Sequence, residues 1–450
     1  MAAMPEAREL NLTLDLCLRV GELLLSSGAG AADVTATMQT VAWSLGMRYP
    51  EVDVTFTSLS MSYQPDPEEP AFTLIRQVKQ RDIDYEDLTL VDHLVRDIVA
   101  GTVELKEARN RLARIVSSGH TTPRWAVTMG WGVMCAGVGL QLGGNAAVVA
   151  IAFVAAVSID RLQLVMSRRR IPFFYRQVAG GGIATVIAVL AGATWLDLDP
   201  SVVVTANIIM LLAGIGFMGA LQDALSGFYI TAGARLTEAL LSTAGIIAGV
   251  SGGLTLGDVL GVDVGRLDPG AASDLKEVPV MALGAAIAAA SFAFASYAPR
   301  RTLIPVGLVA AVAMAISQSG GLGGFGRTWP TAVAAFFVGL VSYTVAGRLR
   351  VPPLVVVVPA VVPMLPGLSI YRGLSLLTEG GVATSEGLLA LITAASIAIA
   401  LASGVILGEY VAQPLKREAH RLESRLSGPR LVGPLRTRPS RRGRNQQAEQ

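Results

Sequence analysis

The chain has 450 residues, of which 52% are hydrophobic and 16% charged, and its 36 Lys and Arg against 34 Asp and Glu leave a formal charge of +2. A soluble globular chain carries about 25% charged residues, so this shortfall, with a mean hydropathy of +0.54, excludes a wholly soluble protein. The near balance of charge gives no basic excess for nucleic acid.

The apolar residues are unevenly placed. Residues 1–122 alternate apolar and charged positions, whereas 123–410 hold long uncharged runs. The expected organisation is a small cytosolic α+β domain over 1–122, membrane halves over 123–256 and 257–410, and a basic, disordered tail over 411–450. The first residues show no basic stretch leading into an apolar one, so no cleaved signal is expected. Cys17 and Cys135 fall in different regions, which gives neither a disulfide framework nor a metal spacing.

In chain order, Leu12, Leu16, Val20, Leu23 and Leu24 share one face of a helix that Gly28 stops. A second helix carries Val34, Met38, Val41 and Leu45 and ends at Gly46. Val52 to Thr57 alternates with period two, and Phe72 to Val78 follows a Pro-rich turn, so these two segments form a strand pair. Charged helices at 84–99 and 103–117 close the domain, the second with Thr102 as its N-cap. His93 has no motif around it and reads as part of a solvated helix face, and His120 and His420 are equally isolated.

Crossing the hydrocarbon takes about 20 apolar residues. About ten such stretches follow, at 125–140, 145–159, 177–195, 201–221, 229–256, 278–297, 302–318, 329–346, 352–370 and 386–408. The second, sixth and eighth connections carry Arg161, Arg168, Arg169, Arg170 and Arg176, then Arg300 and Arg301, then Arg348 and Arg350. Odd connections hold Asp197 and Asp199, or Asp258, Asp263, Asp268 and Asp274. Translocated loops are poor in Lys and Arg, so both ends are expected in the cytoplasm.

Laid on itself with an offset of 153 residues, the chain matches Pro200 with Pro353, Gly214 with Gly367, Gly227 with Gly380, and 176–193 with 329–346. Two halves of five spans would be inverted relative to each other, as in many secondary transporters, with the substrate site at their interface.

Gly214-Ile-Gly-Phe-Met-Gly219 has the letters of a dinucleotide fingerprint but no preceding strand, and no P-loop occurs, so neither cofactor use nor ATP hydrolysis by the chain is expected. Pro359, Pro363 and Pro366 each remove a backbone donor, so the ninth span should break within the membrane. Freed backbone at that depth needs protein or a wet cavity around it, which makes 359–367 a cavity candidate. Asn207 and the glycines from Gly214 stand in the repeat-related fourth span. Gln222 and Asp223 follow that span and Tyr371 and Arg372 follow the ninth, either as functional groups inside the membrane or as groups at its surface. Arg235 and Glu238, three apart on a helix, are expected to pair.

Leu16 to Gly30, the helix end Ala42-Trp-Ser-Leu-Gly46, Asp223 to Glu238, and Pro363-Met-Leu-Pro-Gly367 together resemble the threonine/serine exporter family, and these motifs span nearly the whole chain. The resemblance implies export of threonine, serine or similar small amino acids across the bacterial inner membrane, driven by protons, with no cofactor and no enzymatic activity. It leaves open a homo-oligomer and a dicarboxylate cargo, which is associated with split two-protein relatives. Ala213 and Phe228 depart from the pattern, where a proline and an acidic residue are usual. Asn207, Gly214, Gln222, Asp223, Arg235, Glu238, Pro363, Pro366, Gly367, Tyr371 and Arg372 are the candidate substrate or coupling residues. Asp223 is assigned the ammonium or a proton, and Arg372 or a freed helix end the carboxylate. Rival readings are a membrane-anchored hydrolase and a passive channel.

Overall fold

A computed structural model describes residues 3–78, 83–194, 198–211, 214–261, 274–322, 326–379 and 383–419. Asp197, Asp263, Asp268, Gly380 and the basic tail beyond 419 lie outside the described residues.

The N-terminal unit contains α1 (Ala3–Ser26), α2 (Ala31–Ser44), β1 (Glu51–Val54), β2 (Ser58–Tyr63), β3 (Phe72–Gln77), α3 (Tyr85–Val99) and α4 (Leu105–Ser118). The sheet is antiparallel in the order β1-β2-β3, with Val52 opposite Met61 and Met61 opposite Leu74. Leu59 and Met61 are fully buried, and each such side chain contributes about 2 kcal/mol. A methyl group on Gly21 would stand 2.4 Å from Met38 Sδ and 3.2 Å from Leu59 Cδ1, so α1 lies directly on α2 and the sheet.

Two expectations are corrected in this unit. The strand expected over Val52 to Thr57 ends at Val54, because Thr55 turns the chain by donating its hydroxyl to the Ser58 carbonyl at 3.0 Å. The segment that follows, Ser58–Tyr63, is the central strand. The N-cap of α4 is Glu104, without a side-chain bond, and Thr102 instead donates to the Asp97 carbonyl at 2.9 Å.

The remaining helices form a bundle. Its first part contains α5 (Arg124–Gln141), α6 (Ala146–Arg168), α7 (Phe173–Gly192), the bent pair α8 (Pro200–Leu211) and α9 (Gly214–Leu225), and α10 (Tyr229–Leu260). Its second part contains α11 (Val278–Ala295), α12 (Leu303–Leu322), α13 (Thr328–Leu349), the bent pair α14 (Leu354–Val361) and α15 (Gly367–Glu379), and α16 (Ala383–Ala419). Among the described residues seven helices are long and apolar enough to cross a membrane, or nine if each bent pair is one span. The expected count of about ten is thus met only in part, because α5 falls short. Arg124, Gln141 and its glycines dilute its apolar character. Arg161, expected in a connection, lies inside α6.

The N-terminal unit sits over one end of the bundle. The Tyr85 amide donates to the Ser296 carbonyl at 2.9 Å and His93 Nε2 lies 2.9 Å from the Arg350 carbonyl, so the α11–α12 and α13–α14 connections touch it. The α9–α10 connection does too, since Thr231 donates to the Val54 carbonyl at 3.0 Å. Where α5 crosses α11, a methyl group on Gly137 would stand 3.0 Å from the Gly284 carbonyl oxygen and one on Gly284 would stand 2.7 Å from that of Gly137. Only hydrogen at both positions permits this reciprocal approach.

Candidate functional site

The break between α14 and α15 follows from its prolines. Pro359 lies inside α14, Val362–Met364 tightens into a single 3-10 turn, and Leu365 is extended at φ −61° and ψ 138°. Pro366 has no amide to donate, and the two helices diverge by 46°. The freed Pro363 carbonyl is satisfied by Gln141 Nε2 at 3.1 Å, from α5. A cavity of about 250 Å³ opens beside this break. Its polar lining includes Gln141, Ser317, Gln318, Thr331 and Ser369, with Arg327 also on its wall. Gln141 Oε1 is buried with no hydrogen-bond partner. α15 begins at Gly367 in this wall, and its first-turn amides supply the partial positive charge of a helix N-terminus. Pro363 and Pro366 therefore line a cavity beside a broken span, while Tyr371 is buried one turn further on against Ile208 and Leu211. Arg372 is half-buried on the same helix.

The other bent pair, α8 and α9, also turns by 46°. Asn207 is fully buried in α8 and donates to the Val203 carbonyl at 2.9 Å, leaving Oδ1 buried without a hydrogen-bond partner. Gly214 opens α9. Ile209 lines the cavity at the proline break, and the next residue, Met210, lines a second cavity. The last turn of α8 is therefore a wall between the two.

Asp223 and Arg235 meet elsewhere, where the bundle touches the N-terminal unit. Asp223 is 1% exposed, and its Oδ1 accepts the Ala31 amide at 2.9 Å, so a bundle carboxylate caps α2. Arg235 Nε stands 3.1 Å from Asp223 Oδ2 in an ion pair that is not aligned as a hydrogen bond. Arg235 Nη2 donates to the Ala29 carbonyl at 2.9 Å, and its guanidinium lies 5.8 Å from the centre of the Phe56 ring. Arg235 thus pairs with Asp223 across the α9–α10 turn. Gln222 and Glu238 are half-buried nearby in sequence.

The second cavity, of about 430 Å³, lies between the N-terminal unit and the bundle. Asp84 and His120 face it from one side, and Arg124, Asp160, Gln163 and Arg176 from the other. Asp160, 5% exposed, accepts from Arg124 Nη2 and from Thr128 Oγ1, both at 2.7 Å. His120 is not isolated: it stacks on Tyr297 with ring centres 3.8 Å apart and lies 3.3 Å from Asp84. Burial raises the pKa of Asp84, which also caps α3 through the Glu86 and Asp87 amides. Burial and then the Asp84 charge push Asp87 up to about 6. Sequence reasoning passed over Gln141, Asp160 and Arg124. A polar residue closing an apolar helix was the available signal for Gln141, and a lone carboxylate in an apolar run was that for Asp160.

Two family models match the chain, one described as a putative threonine/serine exporter over residues 15–257 and one as a threonine/serine exporter over residues 281–411. A probable threonine/serine exporter of Mycobacterium tuberculosis is 36% identical over 424 residues, covering 92% of this chain and 80% of that protein. A threonine/serine exporter of Corynebacterium glutamicum is 32% identical over 409 residues, covering 90% and 83% respectively. A probable succinate transporter subunit of Escherichia coli is 25% identical over 242 residues, covering 54% of this chain and 93% of that protein. No solved structure matches the chain significantly.

Proposed function

The chain belongs to the threonine/serine exporter family, and we propose from that premise that it exports threonine, serine or a similarly small amino acid past the proline break. The observation that carries this reading is the cavity at Pro363–Pro366, where the α15 N-terminus and the Gln141 amide meet in the bundle interior. Half-helix N-termini of this kind receive the carboxylates of transported substrates. Gln141 Oε1, buried and without a partner, offers an acceptor to the ammonium end.

The fold reading that goes with it is two inverted five-helix halves. Matching packings support it: α7 on α10 with α13 on α16, α5 on α6 with α11 on α12, and α9 on α16 with α10 on α15. Methyl groups on Gly245 and Gly249 would meet the Phe174 and Val178 carbonyls at 2.9 and 2.0 Å, and on Gly404 and Gly408 the Ala332 and Phe336 carbonyls at 2.6 and 2.3 Å. The two family models also divide the chain between α10 and α11. The location is the bacterial inner membrane with both termini cytoplasmic, because the arginine-bearing connections gather at the end that carries the N-terminal unit. Coupling to protons is assigned to Asp223, a buried carboxylate beside a buried arginine at the bundle's end.

Efflux of labelled threonine from proteoliposomes containing the full chain tests this. The expected result is export that collapses when the proton gradient is dissipated and that drops at least about tenfold in Gln141→Leu, which loses a hydrogen bond to a buried carbonyl. Wild-type flux of succinate without threonine or serine would overturn the substrate assignment. Flux indifferent to the gradient would overturn the coupling.

A further inference from the structure

The cavity between the N-terminal unit and the bundle holds more charge than its internal pairings use. Arg124 is matched by Asp160 at 2.7 Å. His120 lies 3.3 Å from Asp84 and 3.7 Å from Glu86. Arg176, in the first turn of α7, also lines the cavity. Among the described residues no carboxylate lies within ion-pair distance of Arg176. Its guanidinium lies 5.3 Å from the centre of the Phe173 ring, and its Nε is buried without a hydrogen-bond partner. A half-buried arginine with a buried, unbonded Nε is costly unless an anion joins it.

We propose that this cavity is a second binding site for the zwitterionic amino acid, in which Arg176 takes the α-carboxylate and Asp84 faces the ammonium. The proposal rests on the exporter reading only for the identity of the amino acid. Asp84 suits its part because Oδ1 is committed to the start of α3 while Oδ2 faces His120. An arriving ammonium competes with the imidazole for Oδ2. Arginine suits its own part because the planar guanidinium matches a carboxylate with two parallel bonds. The wall beyond is the last turn of α8, where Met210 faces this cavity and Ile209 faces the one at the proline break. Cargo bound here therefore waits across the last turn of α8 from the site proposed for translocation, on the side of the N-terminal unit. The same arrangement gives that unit a use, since without it the cavity would lose Ile83, Asp84 and His120 from its lining.

Trp131 lines the cavity and makes the site readable without transport. In detergent-solubilised full-length protein, L-threonine is expected to shift tryptophan emission, and Trp131→Phe removes the shift. Threoninamide, which lacks the carboxylate charge, should bind wild type about 10- to 100-fold more weakly than L-threonine, the loss expected for a charge-assisted pair. Arg176→Gln should weaken L-threonine by the same factor and leave threoninamide affinity unchanged, so that the two ligands converge, while Arg176→Lys recovers part of the difference. In proteoliposomes the same variant should raise KM for threonine with a smaller change in maximal rate. Equal discrimination between the two ligands in wild type and Arg176→Gln overturns the proposal. So does a loss of maximal rate at unchanged KM, which would mark Arg176 as a packing residue. If wild type exports no threonine yet shows an Arg176-dependent emission shift with another small amino acid, the exporter reading for threonine fails and this site stands.

Discussion

Removing the Asp223 carboxylate should release α2 and the loop before it from the bundle. In Asp223→Ala the Ala31 amide loses its acceptor at 2.9 Å, and Arg235, 9% exposed, loses the carboxylate 3.1 Å from its Nε. Loss of a helix cap costs about 1 kcal/mol, and leaving a buried charge without its ion partner costs about 3–5 kcal/mol. One carboxylate serves both contacts, so the losses do not simply add; a total of about 4 kcal/mol corresponds to about three decades in the local opening equilibrium. Asp223→Asn keeps an oxygen for Ala31 and should lose roughly half as much, since only the ion pair weakens. Hydrogen exchange of the full chain in proteoliposomes reads this in a peptide covering residues 27–36, with a peptide over β2 as the internal control. Adding Arg235→Ala to Asp223→Ala should restore part of the protection, because the buried charge that lost the Asp223 carboxylate is then gone. Unchanged protection of 27–36 in Asp223→Ala refutes the interlock, and an equal loss over β2 shows unfolding of the whole unit instead.

Gln141→Leu leaves the Pro363 carbonyl buried and unpaired, a loss of about 1–3 kcal/mol, so the Tm in detergent should fall by several degrees as well as the export rate. Gly249→Leu and Gly408→Leu drive side chains into carbonyls that a first carbon atom already meets at 2.0 and 2.3 Å; both should abolish a monodisperse peak in size-exclusion chromatography, and tolerance of either would show that α7 with α10, or α13 with α16, can separate. At Asp87 the pKa is raised from 3.8 to about 6, by burial and by Asp84 and Glu86, with His120 opposing. A carboxylate raised on folding takes up a proton, so its contribution to stability is full below about 4 and is lost as pH rises through about 6. After correction for intrinsic exchange, protection of the start of α3 should therefore increase from pH 7 to pH 5 in wild type and stay flatter in Asp87→Asn; identical pH profiles would contradict the assignment.

What the sequence disclosed depended on how local the physics was. Proline removes a donor wherever it sits, so Pro359, Pro363 and Pro366 announced the break before any tertiary contact was considered. Arginine placement is likewise readable residue by residue, because the membrane penalises each charge separately. Pairings that depend on the assembled fold left no such trace. Asp223 reaches Arg235 only through the turn at Gly227, which has φ +90°, a meeting that helical spacing does not display. His93 looked solvated because its partner carbonyl, on Arg350, is 257 residues away. β2 hid because serines alternate with Leu59 and Met61, giving half a strand's pattern without the β-branched residues that usually mark one. α5 weakened the span count for the same reason that it contributes to the site: Gln141, which dilutes its apolar run, is the residue that satisfies Pro363.

The N-terminal unit holds both parts of the bundle at once. It meets the first part at Asp223, Thr231 and Arg235. It meets the second at Ser296, Tyr297 and Arg350. Interfaces of packed side chains are bistable rather than continuously deformable, so a rocking of α5–α10 against α11–α16 cannot leave both sets intact. Either the hydrogen bonds from Ala31 to Asp223 and from Arg235 to the Ala29 carbonyl or the stack at Tyr297 must open. The first set contains two hydrogen bonds to buried charged side chains, and the second contains one stacked ring pair and hydrogen bonds to backbone carbonyls, so the second is the cheaper to break. In such a rocking the unit would travel with the first part, carried by α9 and α10, and would uncover the cavity beside Tyr297. That motion would admit cargo to Arg176 from the side the N-terminal unit covers.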